Sequence, residues 1–151
     1  MRQSNTPHIR LLSTADFEEV RSIEIASQRF PWSETLIKEE LAASHGLHFG
    51  ATAGSGSRLF AFILNRLHTG EFHIHNLCTL PEKRNRGFAS ALLRHALSQA
   101  LSGGARRAFL EVRSSNDAAI RLYSANDFSM VITRRNYYSN GDDALVMSRL
   151  L

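Results

Sequence analysis

The segment Lys83-Arg84-Asn85-Arg86-Gly87-Phe88-Ala89-Ser90 concentrates the residue types that could hold a phosphate. A strand pattern precedes it and a helix pattern follows, so backbone N–H groups and the positive end of a helix converge where an anion can bind. In Arg84-x-x-Gly87-x-Ala89 the missing or small side chains let phosphate oxygens approach the backbone, while arginines offset charge. The segment has no Lys-Ser or Lys-Thr pair of the P-loop and lacks the three glycines of a dinucleotide fingerprint. Taken alone, such a short pattern is more often just an ordinary helix entry. Upstream, His73 and His75 share one strand face with Glu71. Zinc in that geometry would want a third protein ligand, and the sequence offers none, so no metal is expected. Solvent-facing strand residues are the plain reading of both histidines. Cys78, the single cysteine, reads as a small buried hydrophobe.

The elements that must position these residues follow from periodicity. His8 to Leu12 predicts a short strand, and Ser13-Thr14 can cap a helix with Phe17, Val20 and Ile23 on its apolar face. Pro31 breaks that pattern. Ser33 opens a second helix, with Leu36, Ile37, Glu40 and Leu41 at helical spacing. Two strands flank the turn Gly54-Ser55-Gly56-Ser57, and Glu71 to Thr79 alternates as a strand until Pro81 stops it. Ala91 to Leu97 is rich in helix formers and ends at Gly103-Gly104. A strand from Ala108 to Val112, a helix capped by Ser114-Ser115-Asn116 and running through Tyr123, and closing strands Phe128 to Thr133 and Ala144 to Ser148 complete the chain. The order β-α-α-β-β-β-α-β-α-β-β predicts an α/β (α+β) fold, a mixed sheet with helices on its faces.

Composition narrows the setting. At 151 residues, with 43% hydrophobic and 21% charged, residues 1–151 suit a single domain and exclude a disordered chain. The longest apolar run, Leu59 to Leu64, is far shorter than the roughly 20 residues of a membrane span, so no membrane partner is expected. The opening MRQSNTPHIR has no apolar stretch for a secretory signal and Cys78 has no partner cysteine, which together predict a reducing cytoplasm. Residues 1 to 50 hold 5 Lys/Arg against 7 Asp/Glu, whereas residues 51 to 151 hold 13 against 7. Sixteen of the 18 basic residues are arginine, whose planar fork suits phosphate and carboxylate. They are dispersed without aromatic-interleaved basic runs, so direct nucleic-acid binding is not expected.

Taken in register, Asn76-Leu77-Cys78-Thr79-Leu80-Pro81, the loop RNRGFAS, Leu110-Glu111-Val112-Arg113-Ser114-Ser115-Asn116 and Ala119-Ile120-x-Leu122-Tyr123 resemble the GNAT superfamily of N-acetyltransferases. With Phe30-Pro31-Trp32-Ser33-Glu34, Arg134-Arg135-Asn136-Tyr137-Tyr138 and Asp143-Ala144-Leu145-Val146-Met147, the chain is similar to the RimI branch, bacterial ribosomal-protein alanine N-terminal acetyltransferases. These signatures span most of residues 8 to 150.

The resemblance implies the GNAT fold: a mixed, mostly antiparallel sheet with one splayed parallel strand pair and helices on both faces. It implies acetyl-CoA as cosubstrate, with Leu77, Cys78 and Thr79 pairing their backbone to the pantetheine arm. Asn85, Arg86, Gly87, Phe88, Ala89 and Ser90 would hold the pyrophosphate, and Asn116 would also touch the cofactor. Glu111 would accept a proton and Tyr123 would donate one to the leaving thiolate. Trp32, Tyr137 and Tyr138 would line the entrance for a protein or peptide N-terminus, a ribosomal protein in the branch it resembles. Amide formation from a thioester does need a neutral amine, a stabilised oxyanion and a protonated leaving sulfur. A lysine side chain or small amine as acceptor, or a non-catalytic acetyl-CoA-binding module, remain the rival readings.

Each assignment has a plainer alternative. Glu111 would serve equally as an ion-pair partner for Arg113 or Arg134, and Tyr123, three residues after Ile120, as a packed core aromatic. Trp32, Tyr137 and Tyr138 would serve as ordinary packing. His73 and His75 would otherwise join Glu111 in a water-mediated proton relay. Two departures from the superfamily pattern stand out: Asn126-Asp127 precedes Phe128 where glycine is usual, and the loop Asn140-Gly141-Asp142-Asp143 is short. Asp127 or its neighbour is therefore expected to adopt a left-handed backbone.

Overall fold

A strand buried on both faces carries no polar alternation, and the apolar run at Leu59 belongs to such a strand. In the computed structural model, which describes residues 6–151, β3 (Leu59–His68) is buried from Leu59 through Asn65 and lies inside the sheet. Residues 1–5, half of the stretch read as lacking a secretory signal, lie outside the described residues. The other strands are β1 (His8–Leu11), β2 (Phe49–Thr52), β4 (Glu71–Thr79), β5 (Arg107–Arg113), β6 (Ser129–Arg134) and β7 (Ala144–Leu150), in spatial order β1-β2-β3-β4-β5-β7-β6. Among the described residues only β4 and β5 run parallel. The helices α1 (Phe17–Ser27) and α2 (Glu34–Ala42) pack Val20, Ile23, Ile37 and Leu41 against Phe62 and Leu64 on one face of the sheet. On the other face α3 (Phe88–Ser102) packs Leu92, Leu93, Ala96 and Leu97, joined by Tyr123 of α4 (Asp117–Ala125). This is the expected mixed α/β fold with helices on both faces. Among the described residues no helix is long and apolar enough to cross a membrane.

Local chemistry sets the ends. Ser13 and Asp16 form a capping box on the short turn before α1, and Ser33 accepts from the Leu36 N–H at 3.2 Å to start α2. At the end of α4 the Phe128 N–H donates to the Tyr123 carbonyl at 3.1 Å and the Asp127 N–H to that of Ser124 at 3.3 Å. That is a Schellman closure, and Asp127 holds its left-handed position at φ 68°, as expected where glycine is missing. The closure turns Phe128 back so that its ring meets that of Tyr123 edge-on at 5.8 Å.

The alternation predicted across Glu71 to Thr79 is interrupted. Leu64 pairs with Asn76 but Asn65 pairs with Ile74, leaving His75 as an extra residue in a β-bulge. Phe72 and Ile74 face the α3 side, whereas His75 and Asn76 both reach toward α1 and α2. The partners that draw them are buried carboxylates: His75 Nδ1 lies 2.7 Å from Glu40 Oε1, and Asn76 Nδ2 donates to Glu24 Oε2 at 2.6 Å.

Glu40 is 3% exposed, while Leu36, read on the same apolar spacing, is 40% exposed. The carboxylate is buried because Arg66 grips it twice, at 3.0 and 2.8 Å, alongside His75. Burial alone would raise its pKa, but these partners override that and hold it down at about 2. A depressed carboxyl stabilises the fold above its unfolded pKa near 4.5 and loses that contribution as pH falls toward about 2. Glu40→Gln should therefore cost roughly 2 kcal/mol or more at pH 7, measured by urea unfolding. The gap to wild type should close as pH approaches about 2, because protonated Glu40 then resembles glutamine.

Candidate functional site

Parallel pairing of β4 and β5 runs only from Glu71 opposite Arg107 to Ile74 opposite Leu110. Beyond it β4 continues to Thr79 and β5 to Arg113, so the strands part into a wedge and the β4 edge toward β5 loses its ladder partner. Unpaired backbone donors and acceptors in such a place need a ligand or water. A cleft of about 610 Å³ opens from the wedge, lined by the end of β4, the start of α3 and the inner side of α4.

At its outer end α3 begins on Gly87, left-handed at φ 80°, with no side-chain cap and no acidic residue in the first turn. Asn85 is also left-handed, at φ 61°. The first-turn amides of α3 are thus open donors at a positive helix end, and a Cβ added at Gly87 would meet nothing within 4 Å. Lys83, Arg84 and Arg29 add positive charge to the lining. Arg84 also braces the walls, donating to the Ser27 carbonyl at 2.9 Å and that of Thr79 at 3.4 Å. Deeper in, the buried Thr79 Oγ1 has no hydrogen-bond partner. A diphosphate at the mouth and a polar, amide-containing arm along β4 fit this distribution of donors.

Leu77, Cys78, Thr79, Asn85, Gly87, Phe88, Ala89, Ser90 and Asn116 all line the cleft; Arg86 does not. Asn116 caps α4 by accepting from the Ala119 N–H at 3.2 Å. Burial pushes the Cys78 thiol up to about 12, which keeps it un-ionised. Tyr123 also lines the cleft and is 6% exposed, and among the described residues its hydroxyl has no hydrogen-bond partner. Burial raises its pKa well above the usual phenol range, so the proton stays on oxygen.

Glu111 lies outside this lining, on the face of β5 that also carries Arg113, which does line the cleft. One expected ion pair is present: Arg134 Nε lies 3.6 Å from Glu111 Oε1, while Arg113 turns to Asp142. The Glu111 carboxylate, first as hydrogen-bond partner and then by its charge, raises the Tyr137 pKa. Burial, followed by the same carboxylate's charge, raises that of Tyr138. The two tyrosine rings meet edge-on at 5.1 Å. Trp32 packs instead against the α1/α2 core and donates its backbone N–H to Glu24 Oε1 at 3.4 Å. His73 pairs with Glu71 at 2.9 Å and stacks on Phe109 at 5.2 Å, while His75 is engaged by Glu40, so neither histidine is directed at Glu111. Sequence reasoning did not single out Phe30, Gln28 or Arg113 at the cleft, although Phe30 and Arg113 stood inside the motifs that carried the resemblance.

Residues 17–128 match the acetyltransferase (GNAT) family model. The chain belongs to this family. The GNAT relatives include the ribosomal protein bS18-alanine N-acetyltransferase of Escherichia coli, 32% identical across 93% of this chain and 95% of its own length. The solved structure of the ribosomal-protein-S18-alanine N-acetyltransferase from Escherichia coli superposes with a TM-score of 0.88, covering 96% of this chain and 94% of that one. N-alpha-acetyltransferase RimI of Mycobacterium tuberculosis is 36% identical, across 93% of this chain and 90% of its own. Arabidopsis thaliana NAA60, solved in complex with acetyl-CoA, shares the GNAT fold at a TM-score of 0.86 and 17% identity, covering 97% of this chain and all of that one.

The open first turn of α3 generates a test. Acetyl-CoA should raise the melting temperature of the wild-type protein, by the equivalent of about 2.7 kcal/mol at 100 times its dissociation constant. Gly87→Glu should abolish the shift by placing a carboxylate among the open first-turn amides of α3. Gly87→Ala, which adds only backbone strain, should keep most of it.

Proposed function

We propose that this GNAT enzyme transfers the acetyl group of acetyl-CoA to the N-terminal α-amine of a protein, by direct attack in a ternary complex. The observation that carries the reading is the pairing of a cleft suited to a diphosphate-bearing arm with an un-ionised, unpartnered phenol inside it. A carboxylate stands on the adjoining face of β5. The bound cosubstrate supplies an acetyl thioester. The amides of Phe88, Ala89 and Ser90 would hold its diphosphate, with Asn85 and Gly87 shaping the turn. The backbone of Leu77, Cys78 and Thr79 would pair with its arm, and Asn116 would close over it from α4.

The acceptor amine must be neutral to attack, and Glu111 would take its proton directly or through water. As the new C–N bond forms and the C–S bond breaks, Tyr123 would give its proton to the departing sulfur. Burial suits Tyr123 to that task, because the proton is not lost to solvent beforehand. Tyr137 and Tyr138 would flank the incoming residue beside Glu111. A ribosomal protein is the proposed substrate class, the class carried in the name of the Escherichia coli relative. At pH 7 roughly 14% of α-amines but only ~0.04% of lysine side chains are neutral, from reference pKa values of about 7.8 and 10.4. A single solvent-accessible carboxylate is therefore an adequate base for the first acceptor and a poor one for the second.

Thiol release with peptides bearing a free Ala or Ser at the first position should be readily measured. The same peptides blocked at the amino terminus but carrying an internal lysine should be inert, and equal turnover of these would contradict the α-amine assignment. Glu111→Gln should lower kcat/KM most at low pH, where the amine needs a base. Tyr123→Phe should slow the reaction even at high pH, where the amine is already neutral.

A further inference from the structure

Arg113, the last residue of β5, reaches two loops that are remote in sequence. Its guanidinium carbon lies 4.3 Å from the ring centre of Phe30, in the segment between α1 and α2, and 3.8 Å from that of Tyr138, between β6 and β7. Its Nη1 donates to Asn140 Oδ1 at 2.9 Å and lies 3.6 Å from Asp142 Oδ2. The side chain is 23% exposed, so the stack is partly shielded from water. The β6–β7 loop is independently fixed to the end of β5, since the Ser114 N–H donates to the Asp143 carbonyl at 2.9 Å and Ser115 Oγ to Asp142 at 3.1 Å. The Arg113 stack carries that anchorage across to Phe30, which lines the cleft with it.

We infer that Arg113 is a positioning residue for the acceptor: by joining the rings of Phe30 and Tyr138 it sets the gap between the two loops through which the amine enters. A planar guanidinium offers its faces to aromatic rings, which a lysine ammonium cannot reproduce, although it keeps the charge. Arg113 lies one strand repeat beyond Glu111 on the same face, so the gap it sets opens beside the base. The inference deepens the proposed function and rests on it for the identity of the acceptor. It demands nothing of the phosphate donors at α3 or of the Tyr123 proton.

The full-length Arg113→Lys enzyme tests it. With saturating acetyl-CoA, the peptide KM should rise about tenfold while kcat stays within about threefold, the expected loss for one partly shielded stack. Acetyl-CoA affinity and the pH profile should stay as in wild type. Phe30→Leu should reproduce the KM rise, and Phe30→Tyr, which keeps a ring beside the guanidinium, should recover most of it. If Arg113→Lys folds poorly, the Phe30 pair carries the same test. Amide hydrogen exchange without substrate should show residues 28–33 and 136–143 loosening together in Arg113→Lys. That readout separates the two failures: a wild type that acetylates no peptide refutes the substrate reading, while the exchange still decides whether Arg113 couples the loops. An unchanged KM, a fall in acetyl-CoA affinity matching the KM rise, or loosening of one loop alone would overturn the inference.

Discussion

The parting of β4 from β5 after Ile74 and Leu110 is the constraint on which the site depends. A parallel pair in the middle of a sheet normally keeps its ladder, because buried backbone groups without partners are costly. Here the ladder stops with residues of both strands still to come, and the rest of the site is arranged around the gap. The open first turn of α3 lies beyond one strand end and α4, capped by Asn116, beyond the other. The open amides of α3 and the buried phenol thus share one break in the sheet, with the Glu111 carboxylate on the adjoining face of β5.

Two buried carboxylates anchor α1 and α2 to β4 just past the point where its ladder with β5 ends. Glu40, paired with Arg66 and His75, locks α2 to β3 and β4 at the bulge. Glu24, 1% exposed, receives the next residue, Asn76, and the Trp32 N–H; burial raises its pKa against these hydrogen bonds. Gln28 donates to Asn76 Oδ1 at 3.3 Å and itself lines the cleft, so the polar chain from Glu24 ends at the site wall. The two acids differ because Glu40 faces the Arg66 guanidinium as well as the His75 ring, whereas Glu24 meets only neutral donors.

Most of the scaffold was legible because it rests on local chemistry. The caps at Ser13, Ser33 and Asn116, the breaks at Pro31 and Pro81 and the left-handed residue at Asp127 each follow from a few neighbouring side chains. The bulge at His75 was not legible, since its cause is the placement of Glu40 and Glu24 on helices more than thirty residues away. For the same reason the helical spacing that groups Glu40 with Leu36, Ile37 and Leu41 gives no sign of its partners Arg66 and His75. The loop RNRGFAS was legible as the entry to α3, but which of its cations face the cleft was not: Arg84 braces two carbonyls and Arg86 lies off the lining. Phe30 and Tyr138 meet Arg113 only after both of their loops are folded onto the end of β5, so no spacing in the sequence announces their stack.

The central claim is that the wedge between β4 and β5 seats the acetyl-bearing arm while the start of α3 holds its diphosphate. Residue-resolved amide hydrogen exchange with and without acetyl-CoA tests both halves at once. Slowed exchange at Leu77–Thr79 and at Phe88–Ser90, with the β1–β2 edge unchanged, is the predicted result. Binding that leaves both of these segments unprotected, or that protects a different face of the sheet, would contradict it.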